Sequence, residues 1–138
     1  MISFFVEEVP FTLKDKLKLK TWIKHVCLLY NKKPGDLNYI FCNDDYLLEI
    51  NKTYLNHDFY TDIITFDQSE SEDMIEGEIY ISVDRVKENA ENNNIDFPQE
   101  LKRVIIHGIL HLIGFKDKTE QDSKKMRLLE NQMLEIIK

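Results

Sequence analysis

Two histidines, His107 and His111, stand four residues apart in the segment HGILHLIGFKD (107–117), and Asp117 follows just beyond Gly114. On a helix, side chains at i and i+4 share a face one turn apart. That spacing lets two imidazoles meet one metal ion. Gly114 can take a left-handed turn, which would return the Asp117 carboxylate to the same ion. Three protein ligands with one position left open is the arrangement of catalytic zinc. The pair alone is a weak motif, and the competing reading is two core histidines hydrogen-bonded to backbone. Against that reading, Val104, Ile105, Ile106, Ile109, Leu110, Leu112 and Ile113 leave the helix almost no polar face, so it is expected to be buried. Neutral rings there would carry unsatisfied nitrogens at about 1–3 kcal/mol each. A shared cation removes one such nitrogen from each ring. The expectation is one Zn2+ per chain, held by His107, His111 and Asp117; nickel, iron or manganese also suit the donor set.

Such an ion would bring a bound water toward neutral pKa and polarise a substrate oxygen, which is hydrolytic chemistry. A zinc protease carries a glutamate directly after its first histidine as general base. Position 108 is glycine, which disfavours a peptide substrate. Glu78, at the start of an expected strand, is a candidate base; the bland alternative is a solvated strand end. Thr61 and Asp62 could line a cleft or simply cap a strand.

HGILHLIGFKD resembles the signature of the YbeY family of rRNA maturation factors, metal-dependent endoribonucleases. The resemblance continues upstream through Asn51–Tyr54, Thr61–Phe66 and Gly77–Ile79, with Ala90 closing the next helix, and covers about residues 38 to 117. It implies a single-strand-specific endoribonuclease in small-subunit rRNA processing. The implied partners are precursor rRNA and a small-subunit ribosomal protein. The family usually ends its signature with a third histidine; here Asp117 stands ten residues after His107 and Lys118 follows. A carboxylate is an accepted zinc ligand, giving a harder, more anionic set. The family also commonly has an arginine after the tyrosine, where this chain has Leu55. Lys52, His57 and Thr61 are then the candidate substrate contacts. The alternative function is a metal-stabilised ribosome assembly factor without catalysis.

These residues need elements to hold them. Residues 2–9 read as a strand, by aromatic and branched content. Thr12 with Asp15 reads as a capping box opening a helix to about Tyr30, with Leu19, Trp22, Ile23, Val26 and Leu29 on its apolar face. Residues 32–36 read as a turn, 37–43 as a strand and 44–55 as a short helix. Strands are expected over 61–67 and 77–83, separated by an acidic loop expected to be mobile, and a helix over 84–94. Pro98 suits the first turn of the histidine helix. Thr119 with Asp122 opens a last helix, whose buried stripe is expected to be Met126, Leu129, Met133 and Ile136. The order β-α-β-α-β-β-α-α-α implies one α/β (α+β) domain over residues 1–138, with a mixed sheet of about four strands and a zincin-like metal helix.

The net charge is −7 over 138 residues, and residues 67–100 hold eleven of the twenty-five acids but two of the eighteen bases. An acidic total argues against tight nonspecific binding to nucleic acid. Two basic clusters, at Lys14–Lys24 and Lys116–Arg127, leave room for a local basic face, or are plain solvated helix surface. Cys27 and Cys42 form no CxxC and are expected to be reduced, buried small hydrophobes. No run of about 18 apolar residues occurs, and the N-terminus, interrupted by Glu7 and Glu8, does not read as a secretory signal. The expected location is the cytoplasm.

Overall fold

The computed structural model describes residues 1–137. The elements run β1 (Ile2–Val6), α1 (Lys16–Leu29), β2 (Lys33–Cys42), α2 (Asp44–Leu55), β3 (Ile63–Asp67), β4 (Met74–Ser82), α3 (Val83–Asn92), α4 (Phe97–Ile113) and α5 (Glu120–Ile137). The four strands form one sheet in the order β1-β2-β4-β3. β1 pairs with β2 and β2 with β4 in parallel, whereas β3 pairs antiparallel with β4. The α+β architecture with a mixed four-stranded sheet is the one its element order implies.

Side chains alternate between the sheet's two faces. One face carries Leu37, Tyr39, Phe41, Ile75, Ile79 and Ile81, packed in the main core with Ile23 of α1, Ile105 and Ile109 of α4 and Met133 of α5. The other face carries Cys42, Ile64, Phe66 and Tyr80 beneath Leu47 of α2. Two buried hydrogen bonds pin the large face. Tyr39 donates its hydroxyl to the Ile105 carbonyl at 3.0 Å, and Trp22 donates its indole N–H to the Met133 carbonyl at 2.9 Å. The starts of α2 and α3 are tied reciprocally. Asn43 and Ser82 cap them, accepting from the backbone N–H of Tyr46 and Arg85, while Asp44 accepts from the Ser82 hydroxyl at 2.6 Å and from Arg85 at 2.9 Å.

Several local expectations change. Thr12 and Asp15 do not form a capping box: Asp15 is left-handed (φ 58) and its side chain makes no cap bond. A capping residue needs extended backbone to reach forward to the first turn. Residues 33–36 are not a free turn, because β2 already pairs at Lys33 with Met74 of β4 and carries an irregularity between Pro34 and Leu37. The acidic loop is correspondingly shorter, since β4 begins at Met74. Leu29 and Ile136 are exposed, while Cys27 and Ile137 take the inner positions. The cap at Thr119 is present, its hydroxyl accepting from the Asp122 N–H at 3.0 Å.

Both cysteines are free and buried. Burial pushes the Cys27 thiol up to about 11; burial, then the charges of Asp44 and Asp84, push Cys42 up to about 12. The thiolate is the reactive form. An alkylating reagent at pH 8 is therefore expected to leave both unlabelled in the folded protein and to label both in denaturant. Rapid labelling of either in the native state would contradict this packing.

Candidate metal centre

α4 starts at Phe97 with Pro98 in its first turn and ends at Gly114, whose φ of +126 an L side chain rarely adopts. No atom lies within 4 Å of where a Gly114 Cβ would be, so backbone conformation rather than space requires glycine there. The turn lets Phe115 donate its N–H to the Leu110 carbonyl at 3.1 Å. It also places the Phe115 carbonyl 3.2 Å from His111 Nδ1. The chain then comes back along the helix, and Asp117 Oδ2 lies 3.3 Å from His107 Nε2. The two imidazoles are nearly parallel, 10° apart with centroids 6.4 Å apart.

The face carrying these rings is not buried. His107 is half-buried and His111 exposed, on the floor of an open cleft of about 620 Å³. The penalty for burying ring nitrogens therefore does not decide the question here. Other observations bear on it instead. Nδ1 of each ring already has an acceptor, Glu130 Oε2 at 2.8 Å for His107 and the Phe115 carbonyl for His111. Nε2 is the nitrogen that remains for a ligand on both. Burial works against a charged His107, but its hydrogen bond to Glu130 and the charges of Glu130, Asp117 and Asp62 outweigh that and raise its pKa above the ordinary value. An imidazole ringed by three carboxylates is a place where positive charge is welcome. As the side chains stand, Asp117 is paired with His107, and no three His, Cys, Asp or Glu side chains among the described residues close on one point. The donor set, two Nε2 atoms and a carboxylate in an acidic surround, fits a divalent cation.

Four more acidic and basic groups shape the floor. Glu130 of α5 is buried; desolvation raises its pKa, but its bonds to His107 and Arg103 prevail and hold it below the usual carboxylate range. Arg103 lies one turn before His107 and meets Glu130 Oε1 at 2.9 Å. Burial pushes Asp62 up, with the His107 charge opposing. Glu100 is buried nearby, and burial raises it too. Asp62 and Glu100 both line the cleft.

The upper wall is the end of α2 and the chain leading to β3. Leu55, His57, Phe59 and Thr61 all line the cleft. The His57 ring stacks on Phe59 with centroids 5.1 Å apart. The buried Asn51 donates its side-chain amide N–H to the Phe59 carbonyl at 2.9 Å, and its backbone carbonyl accepts from the His57 N–H, so it fixes this wall. Lys118 and Arg127 supply positive charge at the cleft.

His57 and Thr61 are thus placed at the cleft, and Lys52 is not: its ammonium sits between Glu49 and Asp58. Glu78 is also removed from the centre. Ile79 packs toward α4, against the Gly108 position, so its neighbour Glu78 points to the opposite face, near Tyr46 and Tyr80. Position 108 itself faces Ile63 and Ile79, which leaves no room there for the glutamate of a zinc protease. Glu130 and Arg103 are not among the residues the sequence singled out, and Asn51 enters there only within the family resemblance, with no role.

A family model described as Endoribonuclease YbeY matches residues 7–138. The Endoribonuclease YbeY of Flavobacterium psychrophilum is 49% identical over 136 residues, spanning 99% of this chain and 96% of its own. That of Cytophaga hutchinsonii is 45% identical over 137 residues, with 99% and 96% covered. The solution structure of TM1509 from Thermotoga maritima superimposes with a TM-score of 0.68 at 31% identity, covering 99% of this chain and 89% of that one.

Proposed function

Because this chain belongs to the YbeY endoribonuclease family, we propose that its cleft cleaves RNA at a divalent metal centre, zinc first, held by His107, His111 and Asp117. The observation that carries this reading is the pair of parallel imidazoles one turn apart, each with Nδ1 occupied, beside the returning Asp117 carboxylate. A cation held there supplies Lewis-acid polarisation of a phosphoryl oxygen and a more acidic water. The chain's own residues do the rest. Glu130 and the Phe115 carbonyl hold the rings. Lys118 and Arg127 meet phosphates at the cleft. Phe59, more than half exposed and backed by His57, offers a face on which an unpaired base can stack. Leu55 adds apolar surface but no charge, so phosphate recognition falls to the basic side of the cleft.

The substrate in this reading is single-stranded precursor rRNA of the small subunit, met in the cytoplasm. The acidic segment over residues 67–100 would complement a basic small-subunit ribosomal protein. No helix among the described residues is long and apolar enough to cross a membrane.

The test is elemental analysis of the purified protein beside Asp117→Ala, together with cleavage of an rRNA fragment with and without chelator. Near-stoichiometric metal that falls in the variant, and cleavage lost with chelator, are expected. Cleavage indifferent to chelator would overturn the metal reading. RNA bound but never cut would instead support a ribosome assembly factor, the reading that the uncharged Leu55 favours.

A further inference from the structure

We propose that Glu130, backed by Arg103, is a positioning residue that sets the tautomer of His107, accepting a hydrogen bond from Nδ1–H so that the proton stays on Nδ1 and Nε2 presents the lone pair to the cleft. The inference rests on the metal centre proposed above and concerns how this chain prepares it.

Glu130 is unusual for its place on α5. It shares the inward face with Met126, Met133 and Ile137, all buried, and is itself only 5% exposed. A leucine would pack there without desolvating a charge. The carboxylate is held at both oxygens. Oε2 meets His107 Nδ1 at 2.8 Å and Oε1 accepts from Arg103 at 2.9 Å. Arg103 is anchored in turn, its other terminal nitrogen donating to Asn131 Oδ1 at 2.8 Å. Two elements therefore fix four groups: Arg103 and His107 one turn apart on α4, Glu130 and Asn131 adjacent on α5.

The competing explanation is an ion pair that merely glues α4 to α5. Buried ion pairs are weak evidence for stability, since desolvation offsets much of their attraction. Here the arrangement carries a further cost, because Arg103 Nε is buried with no partner among the described residues. A pure glue would need neither that cost nor a third member. His111 provides the contrast. It reaches the same orientation through a neutral carbonyl at the cleft edge, formed by the Gly114 turn. A charged acceptor does more: it raises the basicity of the ring it holds, as outer-shell carboxylates do for metal-bound histidines.

Glu130→Gln isolates this role while preserving volume. An amide has one acceptor and one donor end. Turning its oxygen to Arg103 presents its NH2 to His107 Nδ1, which forces the proton onto Nε2. Turning it the other way sets donor against donor at Arg103. The first orientation is favoured, and it selects the wrong tautomer. In metal-free protein at a pH where the ring is neutral, 15N NMR is expected to show Nδ1–H at His107 in the native chain and Nε2–H in the variant, with His111 unchanged. Zinc affinity, measured by chelator competition, is expected to fall about 10–100-fold. Thermal unfolding reports whether the variant folds. Should it not, the pair replacement R103M/E130L removes both charges together, an exchange that buried pairs commonly tolerate, and is expected to lose tautomer control alike. An unchanged His107 tautomer in the folded variant, or unchanged zinc affinity, overturns the proposal. A native chain that binds no zinc sinks the metal reading instead, and the tautomer then decides the role of Glu130 alone.

Discussion

Replacing His111 by alanine is expected to cost RNA cleavage more than ~100-fold, the ceiling typical of substitutions outside the ligand set, and to leave the fold intact. The two histidines are not equivalent as tests. His107 is bonded to the buried Glu130, so His107→Ala would strand a carboxylate in the core, and lost activity could reflect lost stability. His111 is exposed, and its ring has one hydrogen bond among the described residues, to the Phe115 carbonyl, which can turn to water instead. Exposed substitutions away from special features usually change stability by within about 0.5 kcal/mol. His111→Ala therefore separates chemistry from folding. The measurements are cleavage of a single-stranded RNA, bound metal per chain and the melting temperature. Loss of cleavage and metal, with the melting temperatures of the two proteins equal once both are metal-free, is the expected pattern. A variant that still cuts RNA at the native rate would put the reaction centre elsewhere in the cleft.

Much of this was legible in the chain because helix and strand periods differ so clearly. The strand segments 61–67 and 77–83 hold the core of β3 and β4, and the glycine after Ile113 marked both the end of α4 and the return toward Asp117. The misses have physical causes. Glu78 is a candidate base, or a solvated strand end, when read only as the start of a strand-like run; the alternation Ile75, Ile79, Ile81 assigns it to the other face of the sheet. Knowing which face α4 covers required the tertiary arrangement. Lys52 was a free cation in the sequence and became paired only when the chain after α2 brought Asp58 beside it. Glu130 is the instructive case. Its position, four after Met126 and three before Met133, puts an acid on the inward face of α5. That anomaly could have been noticed, since a charge in a buried stripe demands a partner. Its partner, however, lies on another helix, which no local spacing reveals. That the histidine helix is not wholly buried escapes the sequence for a related reason: periodicity counts apolar residues around a helix, but it does not show that one narrow strip of it opens onto a cleft.

Gly77→Ala is expected to be the most destabilising single-methyl change in the chain's sheet, about 3 kcal/mol, seen as a fall in melting temperature on the order of 10 °C. Glycine in a strand ordinarily weakens it, so alanine would ordinarily help by about 0.5–1 kcal/mol. Here an ideal Cβ on Gly77 would lie 2.3 Å from the backbone carbonyl oxygen of Phe66. Backbone atoms in a paired strand cannot swing aside as a side-chain tip can. Relief requires β3 to shift against β4 around the Asp67–Gly77 pair, and β3 is the edge strand beneath the cleft wall. Thr61 to Thr65 line that wall, so the same shift is expected to lower RNA cleavage even at temperatures where the variant stays folded. Gly108→Ala is the matched control. Its Cβ would meet side-chain carbons of Ile63 and Ile79 at 3.1 Å, contacts that rotamer adjustment can ease. The gain in helix propensity, about 1 kcal/mol, opposes the remaining crowding, and the net change is expected to be small. Unfolding curves for the two variants side by side decide the matter. If Gly77→Ala melts within a degree or two of the native chain, the close approach of β3 to β4 is not the constraint described here.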